Sequence, residues 1–242
     1  MLDTYKFIEK YKRISIIGME KNVGKTTLLN KLIADIGTNK KLGLTSIGRD
    51  GEDIDVVTNT DKPRIYVRRG SIIATGRNCL AKCDITKEIL YVTDFTTPMG
   101  SIVIVRALSD GYVDIAGPSY NKQVKIVVEL MEKFGSEISI VDGALGRKST
   151  AISDVSEATI LSTGAALSLD MLKVVEETKK TVYFLKLDEA EKNIKDRVEE
   201  LRDKKAVLFY KNGEVAILEV DNSIDLSNIL KEYLKKDLEY FY

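Results

Sequence analysis

Short apolar runs alternate along this chain with stretches in which apolar residues recur every three or four positions, and that alternation sets the expected architecture. Residues 14–17, ISII, form a β-branched run ending at Gly18, the pattern of a buried strand entering a loop. From Lys25 onward, Leu28, Leu29, Leu32, Ile33 and Ile36 keep helical spacing, and Gly37 supplies a stop. LGLTSI at 42–47 reads as a second strand. The rhythm returns after Gly117, where Val124, Val127, Val128, Met131 and Phe134 predict a helix stopped by Gly135. EISIV then predicts a strand ending at Asp142, and ATILST predicts another. Ser168 is placed to cap the helix that follows, TVYFLKL reads as a strand, and 188–203 reads as an amphipathic helix with Ala190, Ile194, Val198 and Leu201 on one face. AVLFY and EVAIL, joined by KNG, predict a hairpin, and a helix carrying Ile229, Leu230, Tyr233, Leu234 and Leu238 ends the sequence.

Residues 63–117 break this alternation. RIYV, RRG and SIIAT read as a β-hairpin with a glycine turn, followed by EILYVTDF, SIVIVRAL and YVDIAG between TTPMG and SDG turn signals. No helical stretch there is long enough for crossovers, so antiparallel pairing is expected, either as a β-rich insert or as an edge extension of the main sheet. The expected fold class is therefore α/β: a mainly parallel sheet flanked by helices, with this antiparallel addition, in a single domain spanning 1–242.

Composition narrows the function more than the fold. Of the 242 residues, 44% are hydrophobic, enough for one substantial core. Lysine plus arginine number 37 and aspartate plus glutamate number 37, a balance that argues against a general nucleic-acid binder. No run approaches the ~18 apolar residues needed to cross a bilayer, and the charged N-terminus lacks an apolar signal core, so no membrane association and a cytoplasmic location are expected. The chain has no histidine, which removes histidine acid–base catalysis, Ser-His-Asp triads and imidazole-ligated zinc. Cys79 and Cys83 sit four apart, but two thiols without histidine make an incomplete zinc site, and ordinary buried cysteines are the simpler expectation.

The chemistry concentrates at residues 18–26, GMEKNVGKT. Between a strand and a helix, such a segment turns backbone amides and the positive helix end toward an anion. The usual phosphate-binding spacing leaves four residues between the first glycine and GK[ST]; here five intervene between Gly18 and Gly24, with Met19 in the glycine position. Nucleotide phosphates are expected to contact Gly18, Lys21, Asn22, Val23, Gly24, Lys25, Thr26 and Thr27. Lys25 would reach the terminal phosphates, and the Thr26 hydroxyl would ligate magnesium. Asp142, closing an apolar strand within ISIVDGALGR, is the acidic partner expected to hold that magnesium, and Lys25 and Asp142 are the candidate catalytic pair. IGRDGED at 47–53 follows the second strand and can approach the same crevice; Asp50, Glu52 or Asp53 could add a metal ligand, with Asp50 the leading candidate, and Arg49 could offset phosphate charge. LKLD at 185–188 has Leu185 where a guanine reader would need an asparagine, so ATP is expected over GTP. STG at 162–164 either lines the site or ends a strand.

The five-residue spacing, with DGALGR, resembles the class of P-loop NTPases that includes dethiobiotin synthetase and the metallochaperone GTPases, in which homodimers are frequent. More narrowly, GMEKNVGKTTLLN, TSIGRDGED, TNTDKPRIYVRRGSIIAT, TPMGSIVIVRA and VDIAGPS resemble the P-loop subunit of the reactivating factor for cobalamin-dependent lysine and ornithine aminomutases. The likeness spans about residues 14–150 and is strongest at TSIGRDGED and AGPS. It implies a slow ATP hydrolase that works with a second ATPase subunit to help an aminomutase exchange damaged cobalamin. Residues 47–62 would then be the nucleotide-sensitive switch and 63–117 the partner surface. The alternatives are an ATP-dependent small-molecule ligase or kinase of the dethiobiotin synthetase kind, a GTPase metallochaperone, and a nucleotide-binding regulator with negligible hydrolysis.

Overall fold

The computed structural model describes residues 6, 8–48, 64–143, 155–186, 191–204, 206–218, 233 and 238–241. Where a single domain was expected, the chain divides into two compact units, Met1–Leu185 and Lys186–Tyr242.

The first unit is built on β1 (Arg13–Gly18), α1 (Lys25–Ile36), β2 (Leu42–Ser46), β3 (Ile65–Val67), β4 (Ile72–Gly76), a 3-10 helix (Arg77–Lys82), β5 (Lys87–Thr97), β6 (Gly100–Ala107), β7 (Gly111–Val113), α2 (Asn121–Lys133), β8 (Ile138–Asp142), β9 (Ala158–Ser162) and α3 (Met171–Leu185). Seven of the strands form one sheet in the order β5-β6-β4-β2-β8-β1-β9. Every neighbour from β4 to β9 is parallel, and β6 runs antiparallel to both β4 and β5. The architecture is thus α/β with a mainly parallel, mixed sheet.

Alternation along the strands sends side chains to opposite faces, and each face has its own core. Ile14, Ile16, Leu42, Leu44, Ile138 and Ile140 meet Leu29, Leu32, Ile33 and Ile36 of α1. Ile72, Ala74, Ile102, Ile104 and Val141 meet Val124, Val127, Val128 and Met131 of α2. The helical spacings in the sequence mark these buried faces. At the strand starts, Arg13 on β1 forms a two-pronged pair with Glu132 of α2, Nε and Nη2 each 2.7 Å from a carboxylate oxygen. Glu137, just before β8, accepts from the Lys41 amide at 2.9 Å and from Lys40 Nζ at 3.0 Å, which pulls its carboxyl below the usual range.

The antiparallel addition is an edge extension. The β5–β6 hairpin, turning at TTPMG, continues the sheet beyond β4. The expected hairpin between RIYV and SIIAT does not form. The chain turns at Arg68–Ser71, where Ser71 N–H donates to Arg68 O at 3.1 Å, but β3 leaves to pair with β7 in a separate two-stranded sheet. All five residues of β4 are buried, and it seats between β2 and β6, whereas β3 buries only Ile65 and Val67 and exposes Tyr66. A strand buried on both faces belongs inside a sheet; an alternating one covers its margin.

TVYFLKL is not a strand, because Thr181–Leu185 complete α3. A short apolar run is ambiguous alone, and here the helical repeat that begins at Met171 carries through it. Thr181 Oγ1 donates to Glu177 O at 3.0 Å, which satisfies its hydroxyl inside the helix. Ser168, expected as the cap, accepts only from the Asp170 amide at 3.1 Å ahead of the helix; the cap is Asp170, whose Oδ1 accepts from the Leu172 amide at 2.9 Å because it stands directly before Met171.

The second unit contains α4 (Lys192–Glu200) and a three-stranded antiparallel sheet, ordered β11-β10-β12, of β10 (Val207–Tyr210), β11 (Val215–Ile217) and β12 (Leu238–Phe241). Ile194, Val207, Phe209 and Tyr240 share one face, while Ala206, Leu208, Tyr210 and Leu218 share the other. The KNG hairpin is present. Leu238, expected in a closing helix, instead pairs in β12 with Tyr210. Ile229, Leu230 and Leu234 of that expected helix lie outside the described residues.

Candidate functional site

β1 delivers the chain to residues 19–24, and α1 begins at Lys25. Two residues in this turn have positive φ, Asn22 at 59° and Gly24 at 86°. Asparagine tolerates that region better than most side chains, and glycine enters it freely. A Cβ on Gly24 would meet nothing within 4 Å, so glycine there serves the backbone angle and the space above it is open. Gly24 is the N-cap of α1, yet no side chain caps the helix and no acidic residue occupies its first turn. The first intrahelical bond runs from the Leu28 amide to Gly24 O at 2.9 Å. The first-turn amides of α1 thus have no side-chain cap among the described residues, at the end of the helix that favours anions.

Lys25 folds back over this turn. Its Nζ donates to Glu20 O at 2.9 Å, and a Cβ on Gly18 would lie 2.5 Å from that nitrogen. Gly18 is thus the floor of the lysine's path. The same missing Cβ would also strike Val23 Cγ2 at 2.7 Å. Burial pushes the Lys25 ammonium down from its ordinary value of 10.5, against the opposing pull of Asp142 and then Glu20. The Glu20 carboxylate itself accepts from the Lys21 amide at 2.9 Å, one of the amides expected to face phosphate.

Asp142 closes β8, the strand lying between β1 and β2, opposite Ile16 on one side and Ser46 on the other. Its carbonyl accepts from the Ile47 amide at 2.8 Å, and Gly143 N–H donates to Ile16 O at 2.9 Å. The sheet therefore continues one step past its strands and holds the Asp142 backbone beside the loop. The Asp142 Oδ1 atom is buried. Met19 N–H donates to Ser162 O at 2.9 Å, so the STG segment both ends β9 and supports the loop.

The expected residues separate into two groups. Gly18, Lys21, Asn22, Val23, Gly24, Lys25, Thr26 and Thr27 form one strand–turn–helix, with Thr26 and Thr27 in the first turn of α1 and Asp142 at the adjacent strand end. Asp50, with Arg49, Glu52 and Asp53, lies outside the described residues, as does nearly all of the expected switch at 47–62. A Thr26 hydroxyl and an Asp142 carboxylate are hard oxygen donors, and no cluster of three or more His, Cys, Asp or Glu side chains occurs among the described residues. That donor set suits magnesium, which keeps waters and phosphate oxygens as most of its ligands, better than a metal caged by protein alone. Cys79 is fully buried and Cys83 half-buried, its Sγ 3.3 Å from Cys79 O; burial pushes the Cys83 thiol up.

A second set of residues meets at this strand end. Gly117 N–H donates to Ser46 Oγ and Ala116 N–H to Thr75 Oγ1, both at 2.9 Å. Gly48 N–H donates to Pro118 O at 3.0 Å, and Gly76 N–H to Ala116 O at 2.8 Å. AGPS thus crosses the C-terminal ends of β2 and β4 and is pinned to TSIG. A Cβ on Gly117 would overlap the Ser46 carbonyl oxygen. AGPS and TSIG are therefore in contact at the strand end where Ser46 pairs with Asp142.

No protein-family model, curated protein or solved structure matches the chain. No helix among the described residues is long and apolar enough to cross a membrane.

Proposed function

We propose that this protein binds a nucleoside triphosphate with magnesium through residues 18–27 and couples its slow hydrolysis to a protein partner. The observation that carries this reading is an uncapped, glycine-entered helix whose first lysine folds back over the loop to the Glu20 carbonyl, beside the Gly18 floor. Backbone amides of residues 21–26 take the phosphate oxygens, and the α1 terminus stabilises their charge. Lys25 leaves the Glu20 carbonyl and pairs with the terminal phosphates. Magnesium, held by Thr26 Oγ1 and Asp142, would neutralise charge on those phosphates. Gly18 keeps the lysine's path clear.

The partner rests on the family likeness: a cobalamin-dependent aminomutase, with a second ATPase subunit, and ATP as the nucleotide. Loops near Ile47 and Gly48, bonded to Asp142 and Pro118, are where a change at the terminal phosphate would first be felt.

Phosphate release from ATP and GTP, with and without an aminomutase, tests the proposal. ATP turnover should be slow alone and faster with the mutase. Lys25→Ala should weaken nucleotide binding at least about tenfold, the loss of a charge-assisted contact. Equal binding by the variant sinks the phosphate site. Fast turnover of a metabolite without any protein partner would point to a ligase or kinase.

A further inference from the structure

The 3-10 helix Arg77–Lys82 packs against β4 and β6 and buries Cys79 and Leu80. Between this helix and the β5–β6 hairpin opens a cavity of about 510 Å³, within the range of small-ligand sites. Val103 of β6 lines it and is 2% exposed, whereas Ile89 and Val92 of β5, also in its lining, are 63% and 53% exposed.

Both β5 side chains reach the cavity because the strand bulges. In a regular strand, positions 89 and 92 point to opposite faces. Here the register shifts between Ile89 and Tyr91, so Ile89 stands opposite Val105 and Val92 opposite Val103, two residues that share one face of β6. A bulge that re-aims an apolar side chain towards a cavity is a common device beside binding sites.

The charged residues of the lining are both cations. Arg77 is exposed, and its guanidinium makes no hydrogen bond or ion pair among the described residues. Lys87 Nζ donates to Leu80 O at 2.7 Å and keeps other N–H groups for a ligand. No carboxylate among the described residues lines the cavity. Glu88, next to Lys87, pairs with Arg106 at 2.6 Å, and Asp84 pairs with Arg64 at 2.8 Å. Apolar walls beside an open guanidinium suit a small organic acid. A strand from another protein suits this place less well. Two register shifts, with Lys87, Glu88 and Asp94, interrupt β5 at the sheet margin, as in edge strands that resist pairing.

We propose that the cavity binds a small amphipathic carboxylate, its apolar body against Ile89 and Val92 and its head group on Arg77. The site stands apart from the nucleotide loop, since β6, β4, β2 and β8 separate β5 from β1.

Octanoate is the probe, titrated into the full-length chain by calorimetry. It should saturate with a Kd below about 1 mM, and octylamine, equal in length and opposite in charge, should bind at least about tenfold more weakly. Arg77→Gln should cost octanoate about tenfold and leave octylamine unchanged or tighter, which a merely structural role would not do. Val92→Asp changes an exposed position, so the variant should stay folded by circular dichroism while octanoate weakens at least about tenfold. Octanoate that fails to saturate, as when the face belongs to a protein, overturns the inference. So does octanoate that binds no better than octylamine, or that binds both variants as tightly as the wild type.

Discussion

Glu20 takes two donors that the proposed phosphate site would use. Its backbone oxygen takes the Lys25 ammonium and its carboxylate takes the Lys21 amide. The main-chain contact is indifferent to the side chain, but the carboxylate is a negative charge on an amide of the proposed site and would have to be displaced by phosphate. Glu20→Ala should therefore tighten nucleotide binding about two- to fivefold in a calorimetric titration, the size expected for one exposed charge; weaker binding would show that the carboxylate helps instead. Lys25 sets a pH dependence. Its folded pKa lies below 10.5, so the unfolded chain holds that proton more tightly. The buried charge costs stability at neutral pH, and the cost fades as pH rises through the lowered value towards 10.5. Phosphates bound beside Lys25 would favour its charged form, so affinity should fall as pH rises past the lowered value. Titrations from neutral pH upward should show the fall in the wild type and a flat profile in Lys25→Ala.

Legibility followed the range of the forces involved. The loop, α1 and Asp142 could be read because each depends on neighbours in sequence: a β-branched run, a glycine, a helical repeat, an acid ending a strand. The β3–β4 pairing was misread because two apolar runs around Arg-Arg-Gly look alike locally, and only the sheet decides which one has two buried faces. TVYFL was misread because five residues cannot tell a strand from the last turns of a helix. The bond from Gly117 to Ser46 was invisible, since 71 residues separate them and serine and glycine carry no periodic signal. That contact makes a firm prediction about its elements. Gly117→Ala would push a methyl group into the Ser46 carbonyl at the end of β2, where backbone cannot yield cheaply. Urea unfolding should show a loss of at least about 3 kcal/mol, among the larger single-site effects.

In the whole molecule, every residue of the expected phosphate site that the structure describes belongs to the first unit. A chain ending at Leu185 should bind nucleotide within about twofold of the full-length protein by the same calorimetry; a larger loss would mean that 186–242 contributes to the site. The sheet also records how its parts were added. Strands β2, β8, β1 and β9 stand contiguous without any help from residues 63–117, and everything those residues contribute to the sheet lies beyond β2. The chain departs at Gly48 and is back at Pro118, where the two are bonded. An excursion whose exit and return coincide is a graft: it can lengthen, shorten or be exchanged while the stock keeps its geometry. The graft also touches the stock beyond that junction: β4 pairs with β2, and Asn30 of α1 donates to Arg64 O and accepts from the Tyr66 amide, both at 3.1 Å. A partner held by residues 63–117 would thus be felt at the proposed nucleotide loop through α1 itself, the helix that Lys25 opens.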